Sequence, residues 1–219
     1  MQTPTKANLL SAILLDMPWA SILGDAWKFF RKLLRGFSLE GMYEVLDYES
    51  TLELLDSKGN KAHFNKRKKV RYLQDHIIAY QDHAWGDGDI LLNYKTSVGE
   101  MVDQYRAGYK THLLLSLREE KNRGDIDDFE ISWNIKCGFL KTDGFWDTDI
   151  TQRTKKIRIN LIFPKNRHPR RVTIVETNRH RTHYLSDEFR RLHPDGRMSM
   201  SWEKKNPKLY EHYLMKWRW

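Results

Sequence analysis

The sequence predicts an all-β fold: an antiparallel β-sandwich of the immunoglobulin-like or Greek-key type with about ten strands, preceded by an N-terminal helical segment. From Met42 onward, apolar residues alternate with polar ones, which is typical of strands with one buried face. Turn-forming pairs of Gly, Asn and Asp separate these stretches at short intervals. Helical runs are missing between them, which excludes a parallel Rossmann-type sheet. The predicted domains are residues 1–41 and 42–219.

The N-terminal segment is predicted to contain two short helices. Residues 7–17 form an apolar helix that Pro18 ends, and residues 26–37 form an amphipathic helix with a cationic face. The apolar face of the second helix admits three interpretations: it packs on the β body, lies in a membrane interface, or docks in a groove of a partner protein. The residues predicted to dock are Trp27, Phe30, Leu34 and Phe37.

The remaining chain is predicted to form strands in ten segments. Strict alternation marks residues 129–137, 157–163 and 213–219. The weaker candidates are residues 43–55, 61–73, 76–81, 111–118, 171–176, 181–185 and 198–202. Residues 98–107 are ambiguous, and a helical turn is one alternative for them. The stretch from Tyr105 to Tyr109, with its glycine turn before an apolar strand, resembles the tyrosine corner of Greek-key sandwiches.

Charge is distributed unevenly along the chain. The net charge is +9, and residues 151–219 contain 18 Lys+Arg against 6 Asp+Glu. This asymmetry favours a polyanionic partner, whose phosphates arginine would bind in bidentate fashion. The alternative is that the charges are solvated and keep an aromatic-rich sandwich soluble. The residues predicted to bind a polyanion are Lys66, Arg67, Lys68, Lys69, Arg167, Arg170, Arg171, Arg179, Arg181, Arg190 and Arg191.

Catalytic and metal-binding motifs are not recognised in the sequence. Nucleophile elbows, phosphate-binding loops and dinucleotide fingerprints are all missing. Cys137 lies on an alternating strand and is predicted to be buried and inert. Acidic pairs in predicted loops are interpreted as turn residues, with calcium binding as the alternative. These acidic residues are Asp87, Asp89, Asp125, Asp127, Asp128, Asp147 and Asp149. The histidines of the basic third, such as His180 and His183, lack the partners of a zinc site.

The single cysteine excludes an intrachain disulfide, which favours a reducing, cytoplasmic setting. We expect neither a signal peptide nor a transmembrane segment, and no metal or cofactor. The predicted function is a non-catalytic adaptor or sensor that docks a protein partner through the N-terminal helix and basic loops. The alternatives are a nucleic-acid-binding protein that uses the basic loops of residues 165–205, a protein that binds an anionic membrane surface, and an enzyme whose site is assembled from scattered residues. The oligomeric state stays open.

Overall fold

The computed structural model describes residues 41–219, and this part of the chain is almost entirely β. The strands are β1 (Tyr43–Leu54), β2 (Lys61–Tyr72), β3 (Ile77–Ala84), β4 (Asp89–Thr96), β5 (Glu100–Ala107), β6 (Lys110–Lys121), β7 (Ile126–Lys136), β8 (Asp143–Asp149), β9 (Lys156–Phe163), β10 (Arg171–Glu176), β11 (Arg181–Tyr184), β12 (Arg190–Leu192), β13 (Met198–Lys205) and β14 (His212–Arg218). Short 3₁₀ turns cover Thr177–Arg179 and Asp187–Phe189. The prediction of an all-β body is confirmed, whereas the helices predicted at 7–17 and 26–37 lie outside the described residues.

The strands form three sheets. One sheet has seven strands in the order β12-β13-β9-β1-β2-β7-β4, a second has the order β11-β10-β14-β8, and a third has the order β3-β6-β5. Most neighbours are antiparallel, but Tyr48–Glu53 of β1 pair in parallel with Ile157–Ile162 of β9. The purely antiparallel arrangement was therefore wrong, because a pair of central strands makes the largest sheet mixed.

Apolar residues that alternate with polar ones in the sequence are the buried residues of the strands. On β9, the side chains of Ile157, Ile159, Leu161 and Phe163 are buried, and the residues between them are half-buried. Strands β7 and β14 follow the same pattern through their large apolar residues. These strands were predictable because burial of one face imposes a period of two on the residue types.

Four strands, β4, β5, β8 and β12, were not predicted from the sequence. All eight residues of β5 are exposed, so no apolar face marked this strand, and the ambiguous residues 98–107 contain it instead of a helical turn. Strand β4 pairs irregularly with β7 and contains positive φ angles at Leu91 and Asn93. Strand β8 begins with the turn-like pair Asp143-Gly144, and β12 has three exposed residues. In each case the missing signal was a regular apolar period.

The residues that resembled a tyrosine corner form an ordinary hairpin between β5 and β6. Gly108 occupies the turn with a φ of 60°, a conformation that favours glycine. Tyr105 and Tyr109 are 48% and 68% exposed, whereas the tyrosine of a corner packs at the edge of the core. The resemblance therefore does not extend to the structure of this turn.

Cys137 is exposed, which contradicts its predicted burial. Strand β7 ends at Lys136, and Cys137 follows it with a φ of 58°. The strand thus stops one residue before the alternation would have turned the thiol inward. Among the described residues, no helix is long and apolar enough to cross a membrane.

Candidate functional site

A cavity of about 200 Å³ lies within the β body. Its walls come from β1, β2 and β7 of the seven-stranded sheet, together with β3 and β8. Its mouth is bordered by the exposed side chains of Asp87, Leu140, Lys141 and Phe145. A concave pocket of this size lined by aromatic side chains is a candidate ligand site.

Aromatic rings form much of the wall. Phe64 packs against Trp133 and Trp146, with ring centroids 4.4 and 4.5 Å apart. The indole nitrogen of Trp146 donates a hydrogen bond of 3.3 Å to the Ser50 hydroxyl, which fixes the orientation of that ring. Tyr48 and Tyr80 complete this lining. Such rings give a planar ligand apolar surface and stacking partners at a small entropic cost.

Two lysines point into this aromatic interior. On β2, Lys66 and Lys68 share the inward face with Phe64 and Val70, and Lys66 is only 5% exposed. Lysines are seldom buried without a partner because removing an ammonium group from water is costly. In the sequence, both lysines belong to the run with Arg67 and Lys69 that is predicted to bind a polyanion. Only the other two residues of that run are exposed, so the four side chains do not form one surface.

Asp82 is the ionic partner of Lys66. Its carboxylate on β3 contacts the Lys66 ammonium group, and both side chains are more than nine-tenths buried. Burial by itself would raise the pKa of Asp82, but the charges of Lys66 and Lys68 together lower it below its usual range. The pair is therefore ionised, and each charge offsets the desolvation of the other.

Lys68 lacks a carboxylate partner within ion-pairing distance among the described residues. Its ammonium donates a long hydrogen bond of 3.4 Å to the Tyr80 hydroxyl and lies 4.9 Å from the centre of the Tyr48 ring. Burial, and then the charge of Lys66, lower the pKa of Lys68 to about 8, although Asp82 opposes this. The cavity thus holds a cation that a bound anion or acceptor would stabilise.

Asp82 also interacts with the hydroxyl of Tyr94 on β4. Both Oδ2 of Asp82 and the Tyr94 hydroxyl are enclosed by protein, and neither atom has another hydrogen-bond partner among the described residues. Burial, then the charge of Asp82 and the hydrogen bond to its carboxylate raise the pKa of Tyr94, so the hydroxyl stays neutral and donates to Asp82. The Asp82 carboxylate is therefore compensated within the protein by Lys66 and Tyr94, which leaves Lys68 as the cavity cation without a strong partner.

Acidic residues of β8 lie at another side of the cavity. Asp147 and Asp149 both contact the imidazole of His212, and Lys110 donates a hydrogen bond of 2.8 Å to Asp149. Burial raises the pKa of Asp147 to about 6, although His212 opposes it. One ligand atom from each of Asp147, Asp149 and His212 lies within 4.8 Å of the others, which fits the spacing of metal ligands. Since Lys110 already compensates Asp149 and both carboxylates contact the His212 ring, we interpret the group as a polar network within the protein.

A histidine and a serine also meet outside the cavity. The His193 Nε2 atom lies 3.0 Å from the Ser199 hydroxyl, as a base lies near a nucleophile. The carboxylate of the nearby Asp195 instead accepts hydrogen bonds from the backbone and the side chain of Arg197. A catalytic imidazole needs a group that orients it, and neighbouring described residues do not supply one.

The remaining predicted basic residues are distributed over several surfaces. Arg167 contacts the Trp219 ring at 4.0 Å, and Arg179 pairs with the buried carboxylates of Glu176 and Glu211. The exposed ones are Arg170, Arg171, Arg181, Arg190 and Arg191. Strand pairing places Arg171 and Arg181 at opposite ends of the β10–β11 hairpin, and Arg190 and Arg191 lie on β12 in another sheet. The structure therefore does not gather the predicted set into one site.

The predicted acidic loops and histidines are also separated. Asp125 caps the turn before β7 by accepting a hydrogen bond from the backbone of Asn122, and Asp127 accepts one from the Tyr72 hydroxyl. Asp87 pairs with Lys141, while Asp89 begins β4. Asp147 and Asp149 lie within a strand and not in a loop. The predicted docking residues Trp27, Phe30, Leu34 and Phe37 lie outside the described residues.

The cavity residues were missed although the sequence contained a signal for them. In residues 61–73, Lys66 and Lys68 occupy the same alternate positions as Phe64, Val70 and Tyr72. Period-two alternation assigns all of these positions to one face, whereas the density of charge in the run suggested solvent. The partner, Asp82, is 16 residues from Lys66 and could not be assigned without the sheet arrangement.

Comparison with solved structures shows a similarity of fold. The crystal structure of a putative protease from Parabacteroides distasonis ATCC 8503 matches with a TM-score of 0.51 and 9% sequence identity. The match covers 81% of this chain and 40% of that one, so this chain spans about two fifths of that protein's length. No family model matches the chain, and no curated protein matches it. At this identity the similarity concerns the fold alone.

Proposed function

We propose that the protein is a non-catalytic sensor whose β body binds a small, planar, polar molecule in the aromatic cavity. The observation that supports this most directly is Lys68, an inward-facing lysine without a carboxylate partner in a cavity of about 200 Å³. A buried cation without a strong partner lowers the stability of the folded protein, and a ligand that carries an acceptor or an anion offsets this loss. A partner protein would then respond to the occupied state, and docking through residues 26–37 stays a prediction.

The first prediction concerns filling of the cavity. Titration with a set of small ring compounds (benzoate, phenol, indole, uracil and xanthine) is expected to change the fluorescence of Trp133 and Trp146 and to raise the melting temperature for at least one of them. Ala84 is buried in the wall, so Ala84→Leu is expected to abolish that response by occupying the space. Ala107→Leu, on the exposed strand β5, is the matched control and should bind like the wild type. The absence of any response at millimolar concentration would contradict the proposal.

A second candidate function is nucleic-acid binding on the outer face of the four-stranded sheet. Pairing of the strands places Phe145, Lys216, Thr173 and Tyr184 in one row across this sheet. The rings of Phe145 and Tyr184 are 56% and 61% exposed, and the guanidinium of Arg171 lies 4.0 Å from the centre of the Tyr184 ring. Exposed rings next to cations are the elements with which single-stranded nucleic acids are bound.

This candidate predicts a dependence on salt and on two arginines. If a single-stranded oligonucleotide binds here, Arg170→Ala with Arg171→Ala is expected to weaken binding and to reduce the slope of log K against log salt by about 1.4, since two phosphate contacts are lost. Filter binding at several salt concentrations measures this slope. Arg190→Ala with Arg191→Ala removes the same charge from β12 and should leave the slope unchanged. Equal effects of the two double variants would indicate unspecific attraction and exclude the sheet face.

A further inference from the structure

Lys68 is the amine that the cavity presents to a ligand. It lines the cavity and is partly accessible, whereas Lys66, two residues before it on the same face of β2, is 5% exposed and contacts Asp82. The Tyr80 hydroxyl lies 3.4 Å from the Lys68 nitrogen, and the centre of the Tyr48 ring lies 4.9 Å from it. Aromatic side chains therefore flank this nitrogen, and no carboxylate among the described residues lies within ion-pairing distance of it.

Burial and a neighbouring cation together favour a nucleophilic amine at this position. Burial, and then the charge of Lys66, lower the pKa of Lys68 to about 8, although Asp82 opposes this. At pH 7 about a tenth of the Lys68 side chains are therefore neutral amines, roughly 300-fold more than at the ordinary pKa of 10.5. Lysines that are desolvated in an apolar pocket or lie next to another cation are well suited to react with carbonyl compounds.

We propose that Lys68 binds an aromatic aldehyde or ketone covalently, as a reversible imine. The nitrogen of Lys68 attacks the carbonyl carbon, a carbon–nitrogen bond forms, and the carbonyl oxygen leaves as water with two of the three hydrogens of the ammonium group. The product is a protonated imine that keeps the positive charge of Lys68, and its hydrolysis reverses the step. Neither an oxidant nor a reductant is required. This inference rests on the proposed function and names the ligand class of the same site.

The charges around the cavity favour a neutral carbonyl compound over an anion. The lining lysines are Lys66, Lys68 and Lys141, and the lining aspartates are Asp82, Asp87, Asp143, Asp147 and Asp149. Lys110 and Arg218, which pair with Asp149 and Asp143, bring the positive and negative charges into balance. An anionic ligand would leave a net negative charge in a partly buried space, which is unfavourable. Formation of a protonated imine from an ammonium group and a neutral carbonyl compound keeps the balance.

The size and the walls of the cavity favour an aromatic carbonyl compound. A cavity of about 150 Å³ accommodates benzene, so the cavity of about 200 Å³ found here admits one substituted ring. The rings of Phe64, Trp133 and Trp146 supply apolar surface for it. A long substituent on this ring would extend through the mouth, which Leu140 and Phe145 border.

Reductive trapping tests the imine. The full chain is incubated at pH 7 with benzaldehyde and sodium cyanoborohydride, which reduces an imine to a stable secondary amine. Peptide mapping by mass spectrometry is expected to find Lys68 modified at least tenfold faster than any other lysine, because it holds the larger fraction of neutral amine. Mapping on the wild type requires no variant and also separates Lys68 from the N-terminal amine.

Three variants assign the reaction to the cavity. Lys68→Arg keeps a cation at this position but removes the reactive amine, so the fast label should disappear from the intact protein. Ala84→Leu occupies the cavity and should slow the labelling of Lys68 at least tenfold. Lys69→Met removes an amine from the exposed side of the same strand and should leave the labelling of Lys68 unchanged. Circular dichroism shows whether each variant is folded.

The outcomes separate this inference from the proposed function. Equal labelling of Lys68 and the exposed lysines, or unchanged labelling in Ala84→Leu, would overturn the imine. If phenol, indole or benzoate changes the tryptophan fluorescence but Lys68 is not labelled, the carbonyl ligand class is wrong and the cavity is still a ring-binding site. If no ring compound binds and Lys68 is not labelled, both the ligand class and the proposed function fail.

Discussion

Replacement of Asp82 by alanine is expected to lower the free energy of unfolding by about 3–5 kcal/mol, because it leaves a buried lysine without its counter-ion. Lys66 is 5% exposed, so its ammonium group depends on Asp82 for charge compensation. Its neighbour on the same face is Lys68, a second cation, so no nearby group takes over the role of Asp82. Urea denaturation followed by tryptophan fluorescence measures the loss.

Two comparisons make this result specific. Asp103→Ala removes a carboxylate from the exposed strand β5, where it bonds only the adjacent backbone nitrogen, and should change stability by less than about 0.5 kcal/mol. Lys66→Met with Asp82→Leu removes both charges and should recover most of the lost stability. A double variant as unstable as Asp82→Ala would mean that the site depends on the aspartate for packing and not for charge compensation.

The pair also has a defined dependence on pH. The folded protein lowers the pKa of Asp82 below its ordinary value of 3.8. Its contribution to stability is therefore complete above that value and is lost as the pH falls through the lower, folded-state pKa. We expect the wild type to lose stability in acid more steeply than the Lys66→Met, Asp82→Leu double variant.

Replacement of Lys68 by methionine is expected to raise the free energy of unfolding by about 1–2 kcal/mol and to abolish ligand binding. Methionine keeps an unbranched chain of similar length among Tyr48 and Tyr80 but removes the unpaired charge. Residues retained for binding commonly reduce stability in this way. Thermal unfolding and the fluorescence titration measure the two effects on the same samples.

The increase in the free energy of unfolding caused by Lys68→Met should become smaller as the pH rises. The pKa of Lys68 is about 8 in the folded chain, below its ordinary value of 10.5. The protonated Lys68 therefore destabilises the folded protein fully below pH 8, and this destabilisation disappears as the pH rises from about 8 to 10.5. Lys69→Met, on the exposed side of the same strand, should show no such trend. A constant gain across this range would exclude titration of Lys68 as its cause.

Much of the β body was predictable from the sequence because burial on one face leaves a regular trace. The ten predicted segments all contain strands of the structure, and β7, β9 and β14 show the clearest alternation. Strand β5 left no such trace because both of its faces meet water, and β4 left a weak one because Leu91 and Asn93 interrupt its extended backbone. The alternation of apolar and polar residues shows which side chains of a strand contact the core, and it gives no other information about the strand.

The sequence by itself determined the all-β class, the positions of most strands and the uneven charge of this protein. Tertiary structure alone decided which charges meet. Lys66 and Lys68 belong to a run of four cations that resembles a solvated surface, and only the packing of β3 against the inner face of β2 supplies Asp82 and Tyr80 as their neighbours. Local sequence specifies the face of a strand through its two-residue period, whereas the group opposite that face comes from a distant segment. The chemistry of the cavity therefore arises only when the sheets assemble.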